Sequence, residues 1–397
     1  MQRPQGALNI TIPGPSSRAR SLMNMVFDLA KARRTMQEEG IDCIVVTSHD
    51  NTYYSTGSSI LTRIHLRRLA AAFFPLDGDP VFGVHANEEM ATRTTSWIKD
   101  IRTYAGGEWE PLKSIDFVAD VLREKGLEKA RIGMELLDFP SLCLDHLRRL
   151  LPSAEFVDIE HIFDRMRAVK SAEELELLSV GNMATAKAIT IAFEIARPSD
   201  TEKEIARNIA NLILQYGANR LSPQVWLAAG ENIHETHHVP TDYRIKKGDL
   251  VHVDTGGFFR GYRSDISRTA VVGEPNDSQL KAYEIAVGAE WATAEAMTPG
   301  ATVMDVHNAV KRFYESKGFE YNKAVVGHSI GIACHEFPFL GPSHGDWVLE
   351  PGMFFEVEPS ISIGKERVHT EDSFIVEKGP AKNVSEYRDI SEIQVIR

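Results

Sequence analysis

The chain has 397 residues, of which 43% are hydrophobic and 25% are charged, a balance typical of a globular protein with two or three domains. Its formal net charge of −12 argues against a partner such as nucleic acid or an anionic membrane surface. No apolar run approaches the ~20 residues that a membrane-spanning helix requires.

Residues 1–20 are rich in proline, glycine and serine and lack the apolar centre of a secretory signal, so we expect a flexible arm. The three cysteines, Cys43, Cys143 and Cys334, are far apart and form no Cys-x-x-Cys motif. This usage fits a reducing, cytoplasmic location and argues against a disulfide framework or a thiolate zinc site. We interpret Cys334 as a packing residue.

Residues 21–164 alternate between strand and helix patterns, which predicts an N-terminal α/β domain. Within it, Gly40 is placed to end the first helix, and residues 51–57 are predicted to form a polar, aromatic loop. A basic run is expected to be either a solvated loop or a loop that reaches over a neighbouring active site: Arg63, His65, Arg67 and Arg68. We recognise no metal cluster, phosphate loop or nucleophile motif in this half.

Residues 165–171 are predicted to join this domain to a second one that extends to residue 397. Ser171 with Glu174, and Thr201 with Glu204, have the spacing of capping boxes. Two long helices are therefore expected at the start of the second domain.

Two aspartates eleven residues apart, Asp254 and Asp265, are central to this domain. The alternating residues 250–254 predict one strand and residues 266–272 predict another, with glycines between them that allow a hairpin. Such a hairpin would place the two carboxylates opposite each other, a few ångströms apart. Carboxylates this close repel unless a cation lies between them or one is protonated. The alternative interpretation is two surface aspartates beside a turn.

Further imidazoles and carboxylates follow the same pattern of lying on or next to short apolar segments. Three histidines fall within residues 234–238, and two glycines flank the segment that begins with His328. A strand over residues 354–359 places Glu356 and Glu358 on one face, and a strand over residues 369–376 carries Glu371. Each signal alone is weak, but together they suit a pair of divalent ions such as Mn, Co, Fe or Zn.

The segments around these residues resemble the M24 metallopeptidases, whose members include methionine aminopeptidase, aminopeptidase P, prolidase and creatinase. The resemblance runs from Arg167 to the C-terminus and implies an α+β "pita-bread" catalytic domain. It rests on Gly248–Gly256, Ser264–Thr269, Gly327–Gly331, Glu358-Pro359 and Glu371-Asp372. The preceding α/β domain resembles that of the prolidase, aminopeptidase P and creatinase branch, which methionine aminopeptidases lack.

By position, the resemblance implies two divalent ions per subunit, with Mn or Co favoured and Zn or Fe as alternatives. The implied ligands are Asp254, Asp265, His328, Glu358 and Glu371. Glu358 is also implied as the proton shuttle, and His237 and His335 as the histidines that contact the substrate. The resemblance further implies a homodimer.

One departure affects the substrate. Proline-specific members usually have an arginine two residues before the last glutamate; here that residue is His369, and Arg367 lies two residues earlier on the same predicted strand face. Both are therefore candidate substrate contacts. Three functions remain open: a metal-dependent Xaa-Pro dipeptidase or aminopeptidase, a creatinase- or ectoine-hydrolase-like hydrolase of a small non-peptide C–N bond, and a catalytically silent binding protein.

Overall fold

The computed structural model describes residues 27–66, 68–106 and 109–397. The predicted arm at residues 1–20 and Arg67 of the basic run lie outside these residues. The described chain forms two compact units, residues 27–166 and residues 167–397. Among the described residues, no helix is both long and apolar enough to cross a membrane.

The N-terminal unit is built on one mixed six-stranded sheet with the order β4-β3-β2-β1-β5-β6. Its strands are β1 Cys43–Val46, β2 Ala71–Pro75, β3 Val81–His85, β4 Asp100–Tyr104, β5 Arg131–Met134 and β6 Glu155–Asp158. Its helices are α1 Leu29–Glu39, α2 His49–Thr56, α3 Thr62–Leu66, α4 Glu89–Thr95, α5 Lys113–Glu124, α6 Ser141–Leu150 and α7 Glu160–Ala168, the last of which runs past the end of the unit. The alternation of strand and helix that the sequence predicted is confirmed.

Two local predictions are corrected here, and the joining segment is described. Residues 51–57 are not a loop, because helix α2 covers them up to Thr56 and buries residues 51–56. The hydroxyls of Ser55 and Thr56 donate to carbonyls four residues earlier, so burial of these polar residues is tolerated. The basic run begins in helix α3, where Arg63 pairs with Asp138. The predicted joining segment is helical as far as Ala168.

The C-terminal unit contains two five-stranded sheets, each covered by a pair of helices, and one two-stranded sheet. Its strands are β7 Arg220–Ala229, β8 Leu250–Phe259, β9 Tyr262–Arg263, β10 Ile266–Val272, β11 Gly327–Ser329, β12 Glu336–Phe339, β13 Phe354–Val357, β14 Ser360–Ile363, β15 Glu366–His369, β16 Asp372–Ile375, β17 Lys382–Asn383 and β18 Gln394–Ile396. Its helices are α8 Ala172–Ile195, α9 Glu202–Gln215, α10 Asp277–Ala296 and α11 Val303–Ser316. Both predicted capping boxes, at the starts of α8 and α9, are formed.

The first sheet has the order β18-β10-β8-β7, with β9 paired to β8, and the second has the order β12-β11-β13-β16-β17. Helices α8 and α9 bury Ile189 and Ile209 against Val253 of β8. Helices α10 and α11 bury apolar residues such as Val306 against Phe355 of β13. Each sheet thus has an apolar face under its helices, and burial of that face is the main stabilising term.

Candidate metal centre

The first sheet carries the two aspartates on adjacent antiparallel strands. Asp254 of β8 lies opposite Ser267 of β10, so the prediction that Asp254 faces Asp265 directly is wrong by two residues. Asp265 lies just before β10, where its backbone N–H donates to Asn182 Oδ1 at 2.8 Å. Because residues two apart share a face of a strand, Asp254 and Asp265 are diagonal neighbours. The carboxylates of Asp254 and Asp265 interact with each other.

The second sheet supplies the imidazole and the two glutamates. His328 lies on β11, Glu358 directly follows β13, and Glu371 directly precedes β16. The backbone N–H of Glu371 donates to Ser267 O at 3.0 Å, which attaches this segment to the first sheet. The predicted strand over residues 369–376 is therefore interrupted at Glu371, and this interruption brings the glutamate to the two aspartates.

One hydrogen bond fixes the tautomer of His328. Its Nδ1 lies 3.0 Å from Ser329 O, and a carbonyl can only accept, so Nδ1 carries the proton. Nε2 then faces Glu358 Oε1 at 3.8 Å and Glu371 Oε1 at 3.9 Å. An imidazole whose Nδ1 is held by a backbone carbonyl in this way is a common arrangement for metal ligation through Nε2.

Two carboxylates of this site, Asp265 and Glu371, are destabilised in their charged forms, whereas Glu358 is not. Burial, followed by the negative charge of Asp254, raises the pKa of Asp265 well above its ordinary value. Burial, followed by Asp265 and Asp254, does the same to the pKa of Glu371. Burial would also raise the pKa of Glu358, but the hydrogen bond from His369 and the neighbouring imidazoles lower it to about 2.

This set of donors fits divalent cations. Donor atoms of Asp265, His328 and Glu371 all lie within 4.8 Å of one another. Carboxylates grouped this closely and buried this deeply are costly unless cations compensate them. Oxygen donors with one imidazole suit hard or borderline dications.

A cavity of about 500 Å³ opens onto this group. Asp254, Glu358 and Glu371 form part of its wall, together with His237 and His335. The volume is in the range of small-molecule pockets. The five residues predicted as ligands and the two predicted substrate histidines therefore lie around one cavity.

The three histidines of residues 234–238 have different surroundings. His237 is exposed, lies in the cavity wall and stacks at a tilt on Trp226, with ring centroids 5.3 Å apart. His238 is buried, with Glu202 at 3.0 Å and Glu235 at 2.7 Å from its ring nitrogens. His234 contacts the carbonyl oxygen of Lys365 at 3.0 Å. Only His237 of the three lines the cavity described here.

Arg367 and His369 lie behind the wall of the cavity. His369 Nε2 is 3.5 Å from Glu358 Oε2, and Arg367 donates to Ile233 O at 3.2 Å while interacting electrostatically with Asp254. Neither side chain is among the described residues that line the cavity. Their contacts are with two of the carboxylates and with the backbone.

Sequence reasoning missed the residue that holds the Glu371 segment in place. Arg268 of β10 donates from Nη1 to Glu371 O at 2.6 Å and from Nη2 to Asp372 Oδ1 at 2.5 Å. The available signal was an arginine in a strand of mostly small and β-branched residues, since an arginine is rarely buried without a partner. It also missed Cys334, whose Sγ lies 2.8 Å from Asp265 Oδ2.

Two helix-covered sheets that contribute carboxylates and imidazoles to one cavity form the kind of site that a metallohydrolase requires. The sequence model of metallopeptidase family M24 matches residues 176–378, and that of the creatinase/prolidase N-terminal domain matches residues 29–169. This chain belongs to metallopeptidase family M24. It is accordingly a metal-dependent peptidase with a pita-bread catalytic domain, as the sequence predicted, and its substrate is a peptide.

The similarity to known proteins extends over almost the whole chain. The Xaa-Pro dipeptidase of Lactobacillus helveticus is 30% identical, over 88% of this chain and 94% of the relative. The Xaa-Pro dipeptidase of Pyrococcus furiosus is 27% identical, over 90% of this chain and 97% of the relative. Among solved structures, the Xaa-Pro dipeptidase of Bacillus anthracis superposes with a TM-score of 0.82 at 25% identity, covering 92% of this chain and 98% of that one.

Proposed function

We propose that this protein is an Xaa-Pro dipeptidase or aminopeptidase that works with two divalent ions per subunit. The observation that carries the proposal is the convergence of five side chains, from two sheets, on one cavity: Asp254, Asp265, His328, Glu358 and Glu371. The relatives named as Xaa-Pro dipeptidases support this substrate class over a non-peptide C–N compound. The family resemblance favours Mn or Co, with Zn or Fe as alternatives, and the majority of oxygen donors suits Mn.

The ions, when bound, supply a water of lowered pKa and polarise the scissile carbonyl group. Glu358 is placed to move the proton of that water to the leaving nitrogen, since its carboxylate lies in the cavity wall. The pKa of about 2 means that Glu358 is ionised at neutral pH. A proline nitrogen carries no N–H, so the site needs no acceptor for one.

His335 and His237 are the proposed substrate contacts. Burial, followed by the neighbouring His328, lowers the pKa of His335 to about 4, so its ring is neutral at pH 7. A neutral imidazole hydrogen-bonds the carbonyl oxygen that becomes negative during attack, without adding charge beforehand. His237 lies in the same wall, with its exposed ring beside Trp226.

For Arg367 and His369 we propose that each positions a carboxylate. His369 holds Glu358 through its Nε2, and the charge of Arg367 acts on Asp254. Direct contact of either residue with the substrate stays a prediction.

We also propose a homodimer that works in the cytoplasm. The three cysteines are all free, which suits a reducing compartment. Light scattering coupled to size-exclusion chromatography measures the assembly, and a monomeric mass at micromolar concentration contradicts the dimer.

Hydrolysis of a peptide panel tests the function. Purified protein is loaded with Mn or Co and given Xaa-Pro dipeptides, Xaa-Pro-Yaa tripeptides and matched Xaa-Ala peptides. We expect release of the N-terminal residue from Xaa-Pro peptides, little from Xaa-Ala peptides, and loss of both in Glu358→Gln. Absence of any Xaa-Pro cleavage, combined with cleavage of a non-peptide C–N substrate, would overturn the proposal.

A further inference from the structure

A second group of potential ligands lies behind Asp254. His252, on β8, is two residues before Asp254 and therefore on the same strand face. His369, on β15, is brought to the same place because its carbonyl accepts from Thr269 Oγ1 at 2.7 Å, and Thr269 is paired with His252 across the sheet. The two rings lie with their centroids 5.1 Å apart. Three separate segments thus meet there.

The donor atoms of this group are close enough to share an ion. One nitrogen from each ring and one oxygen of Asp254 all lie within 4.8 Å of one another. Ligands of a tetrahedral ion at 2.0–2.2 Å are about 3.4 Å apart, so small side-chain rotations would bring these donor atoms to the spacing that an ion requires. Both histidines are 7% exposed.

One of these donors has no hydrogen-bond partner among the residues that the structure describes. His369 Nδ1 is buried and makes no hydrogen bond, although His369 Nε2 approaches Glu358. A buried ring nitrogen without a partner costs free energy, and most such atoms in native proteins are paired. An ion held by this nitrogen would account for it.

The group is separate from the substrate cavity. Among the described residues, His252 and His369 do not line the cavity, whereas Asp254 does. An ion between the two histidines would therefore lie behind the wall of the active site, attached to it through the Asp254 carboxylate.

We propose that His252, His369 and Asp254 form an additional site for a borderline divalent ion such as Zn or Co. Two imidazoles with one carboxylate suit these ions better than Mn, which prefers oxygen donors. The inference builds on the proposed function only in that Asp254 also serves the catalytic pair. The Arg367 guanidinium, which interacts with both His252 and Asp254, opposes a further cation. The additional ion accordingly binds more weakly than the catalytic pair.

Sharing Asp254 has a functional consequence. An ion bound by His252 and His369 would compete with the catalytic pair of ions for the Asp254 carboxylate. Zn or Co above the amount that fills the pair is therefore expected to lower turnover, while the same excess of Mn is not.

Metal counting tests the proposal. Full-length protein is dialysed against increasing Co, Zn or Mn, and bound metal is measured by elemental analysis together with the visible spectrum of the Co form. We expect one more Co or Zn ion per chain than Mn ion. His252→Leu and His369→Leu should each remove that ion and its share of the Co spectrum. Because both substitutions alter the same region, circular dichroism and the Tm of each variant are compared with the wild type to show that the fold is kept.

His307→Leu is the matched control. His307 is also a buried histidine whose Nδ1 lacks a hydrogen bond, but it belongs to none of the ligand groups found in the described residues. This variant should bind as much Co as the wild type. Equal Co in the wild type and in both site variants would overturn the additional site. A Mn count below two per chain would instead contradict the dinuclear centre, and the Co difference between wild type and variants would still report on the histidine site.

Discussion

Glu135 of the N-terminal unit and Glu371 of the catalytic unit are equally buried, at 1% and 2% exposure, but their neighbours differ. Glu135 accepts from Thr47 N–H at 2.7 Å, Ser48 N–H at 2.8 Å and Asn51 Nδ2 at 2.7 Å, besides the Ser48 hydroxyl. The strongest electrostatic neighbours of Glu371 are the carboxylates of Asp265 and Asp254. A buried carboxylate surrounded by donors stabilises its own fold, whereas one surrounded by carboxylates needs a cation from outside.

The largest effect that this comparison predicts is in Glu371→Gln. Loss of one negative donor should reduce bound metal and lower kcat/KM by about 1,000-fold or more, equivalent to about 4 kcal/mol. The metal-free variant should be at least as stable as the metal-free parent, because a buried repulsion is removed. Elemental analysis, kinetics and chemical denaturation measure the three quantities. A variant that keeps its metal and activity would remove Glu371 from the ligand set.

The matched substitution in the other unit is Glu135→Gln. The new amide group turns an –NH₂ toward donors that now find no acceptor, so we expect a loss of about 2–3 kcal/mol in the free energy of unfolding. Bound metal should stay unchanged. Urea denaturation followed by circular dichroism gives the stability. An unchanged free energy of unfolding would mean that the charge on Glu135 contributes little to stability and that the comparison between the two glutamates is wrong.

A smaller effect is expected from substituting two adjacent histidines, His237 in the cavity wall and His238 in the protein interior. His237→Ala removes a cavity-lining ring and should raise KM about tenfold, or about 1.4 kcal/mol, with kcat within about threefold. His238→Ala breaks buried contacts with Glu202 and Glu235 and should lower stability with less effect on KM. Burial would lower the pKa of His238, but these two carboxylates raise it overall. If the two variants exchanged their phenotypes, the assignment of His237 to the site would fail.

The smallest effect concerns pH and the metal-free protein. The pKa values of Asp265 and Glu371 in the folded state lie above their ordinary values of 3.8 and 4.5. As the pH falls from neutral toward these ordinary values, the folded state takes up protons that the unfolded state does not, so stability rises. We expect an increase of about 2–4 °C in Tm, and none after saturation with Mn. If the Tm of the metal-free protein fell steadily over this pH range, the proposed repulsion between the buried carboxylates would be wrong.

The sequence predicted the elements that depend on local chemistry. The capping boxes at Ser171 and Thr201, and the left-handed glycine after helix α1, formed as expected because their hydrogen bonds join residues a few positions apart. Residues 51–57 were mistaken for a loop, since their polar composition suits a turn and only tertiary burial makes them helical. The interrupted strand before Glu371 was missed for a related reason: its partner, Ser267, is more than a hundred residues away.

By itself, the amino-acid sequence determined the two-part architecture, the family and the residue types of the candidate metal centre, because short motifs encode donor chemistry and local hydrogen bonding. Tertiary structure alone decided the register that places Ser267 opposite Asp254, the separation of His237 from His238, and the meeting of His252 with His369. These arrangements come from pairing between distant strands, and the energy of such pairing depends on which faces pack together rather than on any local pattern.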